Sequence, residues 1–149
     1  MFNGAFSGKK VLITGHTGFK GSWLSLWLDS LGAEVFGISK GVVSEPSHFV
    51  AAGMEDVVDS ALGDISDPGV FEKRLSETQP DFVFHMAAQP LVPLSYREPY
   101  ETMKANIMGT TLVLDALRSY EKQCVAVIIT SDKCYELSLI HISEPTRPY

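Results

Sequence analysis

An α/β fold built on a doubly wound parallel sheet is predicted by three features of this 149-residue sequence. Short runs of β-branched and aromatic residues recur along the chain. Stretches with apolar residues at helical spacing alternate with them. A glycine-rich turn, Gly15 to Gly21, stands where the first apolar run stops and the first helical pattern starts. Strands alternating with helices are βαβ units, whose sheet is parallel and covered on both faces. The right-handed crossover rule then gives the strand order 3-2-1-4-5.

Val11–Thr14 is an apolar run of strand length. Phe19–Leu31 places Trp23, Leu24, Trp27, Leu28 and Leu31 at the spacing of one helical face, predicting that both tryptophans are core, and Gly32 stands where a C-cap glycine belongs. Glu34–Ile38 and the weaker Val57–Leu62 read as the second and third strands. Asp67-Pro68 reads as an N-cap followed by proline at the first helical position, with Val70, Phe71 and Leu75 as the buried stripe. Asp81–Met86 is the fourth strand and Val125–Thr130 the fifth. Tyr100–Tyr120 is expected to be one long helix carrying Met103, Ile107, Leu112, Val113 and Leu117, with Tyr100 and Met108 packing beside them. Ser39–Ala52 carries no clear pattern.

Hydrophobic residues make up 45% and charged residues 20%, enough apolar material for one domain with a core. The net charge of −6 gives no reason to expect nucleic acid or an anionic membrane as a partner. The start, MFNGAFSGKKV, lacks the apolar stretch of a signal peptide, and no run is long enough to cross a bilayer. Cys124 and Cys134 make no disulfide framework and no metal-ligand spacing. The expectation is a cytoplasmic protein with reduced thiols and no metal.

The turn VLITGHTGFKGSW is the most informative stretch. After a strand, glycines let the backbone approach a dinucleotide pyrophosphate, and the N-terminus of the following helix binds that anion. Gly15 would make the tight turn, Gly18 would allow the close approach, and Gly21 would let helix and strand pack. Lys20 adds a cation in the first helical turn, which opposes the helix dipole by about 0.3–1 kcal/mol unless an anion sits beside it. His16 is expected to matter through its backbone. Thr17 and Phe19 complete the turn as cofactor-binding candidates.

The Gly-x-x-Gly-x-x-Gly spacing resembles the extended short-chain dehydrogenase/reductase superfamily. GHTGFKGSWL is similar in wording to the sugar-nucleotide 4,6-dehydratases that act on CDP-glucose. Gly63-Asp64-Ile65 resembles that family's adenine-binding segment. His85-Met86-Ala87-Ala88-Gln89-Pro90-Leu91-Val92 resembles its fourth-strand motif, Asn106-Ile107-Met108-Gly109-Thr110 its Asn-x-x-Gly-Thr helix, and Thr130-Ser131-Asp132-Lys133-Cys134-Tyr135-Glu136 its active-site segment. The resemblance implies a Rossmann-type sheet and a nicotinamide cofactor held by Gly15, Thr17, Gly18, Phe19, Lys20, Gly21, Asp64, Ile65, Ala87, Ala88, Gln89, Asn106 and Thr130. It implies a nucleotide-sugar substrate and a homo-oligomer, for which the Tyr100–Tyr120 helix is the expected pairing surface.

Family chemistry oxidises the sugar at C4, eliminates water across C5 and C6, and returns the hydride to C6. It needs acid/base groups for the C4 hydroxyl and for the elimination. By the resemblance Ser131 hydrogen-bonds the C4 oxygen, Asp132 helps expel the C6 hydroxyl, and Lys133 acts in the elimination. Attraction to Lys133 holds Asp132 ionised, so an acid role needs desolvation or substrate to offset it. His85 reads as a satisfied buried imidazole rather than a base. A ribose-binding acid usually lies about 20 residues past the glycines. Here the second strand ends Gly37-Ile38-Ser39-Lys40, and Ser39 and Lys40 could accept a 2′-phosphate, so the residues leave NADP open while the resemblance favours NAD.

The likeness ends at Glu136. The Tyr-x-x-x-Lys segment with which the family continues does not follow, and Tyr135 has Leu139 where a lysine would stand. The expectation is a dinucleotide-binding domain over 1–136, truncated before the substrate-binding domain and inactive alone. Residues 137–149, LSLIHISEPTRPY, are expected to be a disordered or artefactual tail. Two alternatives stay open: another extended-superfamily enzyme, such as an epimerase or a GDP-mannose dehydratase, or a dinucleotide-binding module without chemistry.

Overall fold

The computed structural model describes residues 2–42 and 44–131. Asp132, Lys133, the rest of the active-site segment and the 137–149 tail lie outside the described residues. Five strands form one sheet: β1 Lys10–Thr14, β2 Glu34–Ser39, β3 Asp59–Leu62, β4 Phe82–His85 and β5 Val125–Ile128. Their order is β3-β2-β1-β4-β5 and every neighbouring pair is parallel. This is the order that the alternating pattern and the crossover rule require.

β1 lies at the centre between β2 and β4 and reads as a continuous apolar run because both its faces are covered, while β4 buries Val83 and His85 and half-buries Phe82 and Phe84. Val11, Leu12, Ile13 and Val83 are fully buried. On one face Val11, Ile13 and Val35 pack with Leu28, Phe49 and Met54. On the other, Leu12, Phe36, Ile38 and Val83 pack with Phe71, Leu75 and Val113. The second face also buries Arg74, whose guanidinium donates to the Asp59 carboxylate at 2.8 Å and lies 5.6 Å from the Phe36 ring centroid.

Helix α1 spans Phe19–Ser30, but the face it turns to the sheet is not the predicted one. Gly21, Ser22, Ser25 and Leu28 are buried, whereas Trp23 and Trp27 are 50% and 47% exposed. Gly21 sets this rotation. A Cβ there would stand 2.2 Å from the Gly15 carbonyl oxygen, so the helix is pressed against the turn at position 21 and presents 25 and 28 one and two turns on. The tryptophans find other partners: Trp23 stacks on His48 with centroids 4.2 Å apart, and Trp27 meets Phe2 edge-on at 5.5 Å. Gly32 ends the helix as expected, at φ +83°.

The unpatterned stretch after β2 contains a short helix α2, His48–Ala51, before a single 3-10 turn at Met54–Asp56. Helix α3 spans Val70–Thr78 with Phe71 and Leu75 buried as predicted, but Gly69 occupies the N-cap and no side chain caps the helix. The Asp67 carboxylate instead accepts from Lys104 Nζ at 3.1 Å. Val92–Arg97 forms α4, which the pattern did not reveal.

The expected long helix is present as an unbroken helical run over 99–118, but with a π turn inside it. Pro99–Met103 is α5, Lys104–Met108 is a π-helical turn, and Gly109–Arg118 is α6. A π turn adds a residue to the helical register, so one continuous stripe cannot stay on one face through it. Val113 is fully buried, while Tyr100, Met103, Ile107 and Met108 are exposed. Gly109 is where α6 closes on the segment after β3: its Cβ position is 3.0 Å from Ile65 Cδ1. Among the described residues no helix is long and apolar enough to cross a membrane.

Candidate functional site

Because every strand is parallel, the segments after β1, β2, β3, β4 and β5 emerge along one edge of the sheet. Those segments are the glycine turn, Lys40, Gly63-Asp64, Met86–Gln89 and Thr130-Ser131. The chain leaves β1 toward β2 on one side, and β4 lies on the other, so the β1/β4 boundary is the switch point of the sheet, where open α/β sheets take ligands. The glycine turn and the Ala87 segment flank that point.

The three glycines of the turn are glycines for different reasons. Gly15 has φ +75°, and a Cβ there would lie 2.8 Å from Ala87 Cα and 2.9 Å from Ala87 N. Gly21 faces backbone on the helix side, as described above. Gly18 is different. Its φ of −70° and ψ of 163° suit any residue. Its Cβ would meet only the Gly15 carbonyl oxygen, at 3.3 Å. Packing within the chain therefore forbids a Cβ at Gly15 and Gly21, and at Gly18 makes one tight against a single carbonyl oxygen. Gly18 is also the N-cap of α1, with no side chain capping the helix, so the first helical N–H groups are available to an anion. These residues fit a dinucleotide pyrophosphate.

Thr17 supports the turn from within. It is buried, and its hydroxyl lies 2.6 Å from the Gly41 carbonyl and 3.0 Å from Ser39 Oγ, tying the turn to the end of β2. Phe19 and Lys20 open α1 on its exposed side. Asp64 accepts from Lys40 Nζ at 2.8 Å and from Ser66 N and Oγ at 2.9 and 2.6 Å. Burial pushes its carboxyl up, but the bonds from Lys40 and Ser66 outweigh that and hold its pKa at about 2. The Ile65 side chain turns into the core against Gly109. Ala87 is partly buried, Ala88 and Thr130 are exposed, and Gln89 is clamped by Asn106. Ser131 lies beyond β5 on the same edge. Among the described residues no group of three or more His, Cys, Asp or Glu side chains converges as a metal site.

Two features escaped the sequence reading. The sequence holds a Tyr-x-x-x-Lys spacing at Tyr100 and Lys104. Tyr100 is exposed, and Lys104 is paired with Asp67 in the segment between β3 and α3. The second is the His16 ring, which is packed as closely as its backbone, whose Cα stands 2.8 Å from the Gly21 Cβ position. It is fully buried, accepts or donates at Ser60 Oγ across 2.6 Å, and meets Phe49 edge-on. A Cβ on Gly37 would collide with the ring, so Gly37 is the floor that admits it.

Burial pushes His16 down to about 4 from 6.5, against a smaller opposing pull from the Ile38 backbone. The unfolded chain therefore binds more protons than the folded one between those values. Stability is full above pH 6.5 and falls as pH drops toward 4, by ~3 kcal/mol at about 1.4 kcal/mol per unit. His85, also pushed down by burial, adds in the same direction. Urea midpoints at pH 7.5 and 4.5 check this: the wild type should lose stability and His16→Gln should lose much less across the interval. A flat wild-type profile would show that the ring is not held neutral.

The family model described as GDP-mannose 4,6 dehydratase matches residues 12–148. A CDP-glucose 4,6-dehydratase of Salmonella typhimurium (strain LT2) is 47% identical over 131 residues, which cover 88% of this chain and 36% of that protein. A solved UDP-glucose 4-epimerase of Thermotoga maritima with UDP-glucose has a TM-score of 0.69 at 27% identity, covering 80% of this chain and 37% of that one. A UDP-glucose 4-epimerase of Thermus thermophilus in complex with NAD has a TM-score of 0.62 at 28% identity, covering 74% of this chain and 34% of that one. The chain spans about a third of the length of the curated relatives it matches (36% and 31% of two of them).

Proposed function

The chain belongs to the GDP-mannose 4,6 dehydratase family, and from that membership we propose that it forms the dinucleotide-binding part of an NAD-dependent sugar-nucleotide 4,6-dehydratase acting on CDP-glucose. The observation that supports the reading is the division of labour in the glycine turn beside the β1/β4 switch point: packing forbids a Cβ at Gly15 and Gly21, while at Gly18 it meets one carbonyl oxygen alone. The 47% identity to a CDP-glucose 4,6-dehydratase supports the choice of nucleotide sugar.

NAD, when bound, would accept the hydride from the sugar C4 and return it at C6. The chain's own residues hold it and handle protons. The Gly18 backbone and the N-terminus of α1 take the pyrophosphate, with Lys20 in the same helical turn. The Ser131 hydroxyl bonds the C4 oxygen, whose proton leaves as the hydride departs; the resemblance gives that proton to the tyrosine of the family's Tyr-x-x-x-Lys segment, not to Ser131, Asp132 or Lys133. Asp132 protonates the departing C6 hydroxyl, and Lys133 serves the elimination, with substrate desolvating the pair so that the carboxyl can hold its proton.

NAD is favoured over NADP because both residues suited to a 2′-phosphate are engaged. Ser39 Oγ is bonded to Thr17 and Gly41, and Lys40 is paired with Asp64. An added phosphate would compete with a carboxylate that stays ionised throughout the physiological range. The chain should bind NAD at least about tenfold tighter than NADP, and Asp64→Asn should narrow that ratio by freeing Lys40. Calorimetric titrations with both dinucleotides measure it; an unchanged ratio in the variant would remove Lys40–Asp64 as its cause.

The reaction itself is tested with the complete reading frame that carries these residues. It is supplied with NAD and, separately, CDP-glucose, GDP-mannose and UDP-glucose, and products are read by NMR. A 4-keto-6-deoxy product from CDP-glucose is expected. Turnover of GDP-mannose in its place would overturn the substrate assignment, and a 4-epimer would overturn the reaction.

A further inference from the structure

His85 closes β4 with its ring buried between β1 and the helix that follows the π turn, and the chemistry above makes no use of it. Both ring nitrogens are engaged. Nδ1 lies 2.8 Å from Thr14 Oγ1, and Nε2 lies 3.0 Å from Thr110 Oγ1. The hydroxyls fix the direction of each bond. Thr110 Oγ1 donates its one proton to the Asn106 carbonyl at 2.7 Å, so it accepts from His85 Nε2–H. Thr14 Oγ1 accepts from the N–H groups of Met86 and Ala87, each at 3.1 Å, so both lone pairs are used and its proton goes to Nδ1. The ring is therefore the neutral tautomer with its proton on Nε2.

The chain of bonds continues on the helix side. The Asn106 side chain takes both backbone groups of Gln89, accepting from its N–H at 2.7 Å and donating to its carbonyl at 3.0 Å. Thr14 is the residue before the glycine turn, and the Gly15 backbone is pressed against Ala87. One imidazole thus touches hydroxyls that brace three separate stretches: the glycine turn, Met86–Gln89, and the helix carrying Asn106 and Thr110.

We propose that His85 is a positioning residue that locks these three stretches into one preformed dinucleotide cradle through the hydroxyls of Thr14 and Thr110. The inference rests on the dinucleotide reading of the site. A buried imidazole kept for its volume alone would not need two directed bonds; leucine would fill much of the same space.

The 149-residue chain is compared as wild type, His85→Leu, His85→Gln, Thr110→Val and the double variant His85→Leu/Thr110→Val. NAD is titrated by calorimetry below each melting temperature, and amide exchange is followed at Ala87, Gln89 and, as a reference, Leu12. Glutamine can accept at one end of its amide and donate at the other, whereas leucine can do neither. His85→Leu and Thr110→Val should each weaken NAD about tenfold, and the double variant no more than either alone. His85→Gln should restore most of the affinity. Exchange at Ala87 and Gln89 should quicken about tenfold in Thr110→Val, with Leu12 unchanged. Thr110→Val keeps the test decisive if His85→Leu does not fold. Equal NAD affinities, additive losses, or a loss that glutamine does not restore would overturn the proposal. If the wild type binds no dinucleotide, the reading of the site fails, and the exchange rates alone decide whether His85 braces the three stretches.

Discussion

Replacing Gly21 by alanine is expected to cost at least about 4 kcal/mol, near the upper end of what one substitution does. The added Cβ would lie 2.2 Å from the Gly15 carbonyl oxygen and 2.8 Å from His16 Cα. Both are backbone atoms, so no flexible side chain can swing aside. Either α1 lifts from the sheet, opening the packing of Ser25 and Leu28, or the turn moves and loses the fit of Gly15 to Ala87. The melting temperature should fall by roughly 12–16 °C, measurable by calorimetry or circular dichroism. A Gly21→Ala chain as stable as the wild type would mean that helix and turn are not in the contact described.

The sheet was legible in the sequence because β1 is buried on both faces and β4 on one with the other half-covered, so both appear as apolar runs. The rotation of α1 was not. Trp23, Leu24, Trp27 and Leu28 satisfy a helical stripe, but the stripe that packs is set by the smallest residues, Gly21, Ser22 and Ser25, which hydropathy does not mark. The tryptophans instead cover His48 and Phe2 from outside. The π turn inside the long helix was equally hidden. Nothing in Lys104–Met108 forbids an α-helix, and the π turn coincides with Asn106, whose side chain is committed to Gln89.

The candidate site was legible where geometry demands a residue type. Glycines at 15, 18 and 21 could be assigned separate roles from spacing alone, and φ +75° at Gly15 and the close contact at Gly21 agree with the first and third. Partnerships between distant residues left no local signal. The Lys40–Asp64 pair joins segments after β2 and β3, and the His85 bonds join β1, β4 and α6. The burial of His16 depended on Gly37, far along the chain, having no side chain.

Gly18→Val tests the central claim most directly, because this is the glycine of the turn where a Cβ meets least, the Gly15 carbonyl oxygen alone at 3.3 Å. Valine suits φ −70° and ψ 163°, and the exchange at an N-cap should cost about 1 kcal/mol. Its methyl groups would fill the open side of the turn and hold a pyrophosphate away from the backbone N–H groups. In calorimetric titrations with NAD, alongside thermal melts of both chains, the variant should melt within a few degrees of the wild type. It should bind NAD at least about 100-fold more weakly. Equal affinities in two equally folded chains would contradict the dinucleotide site.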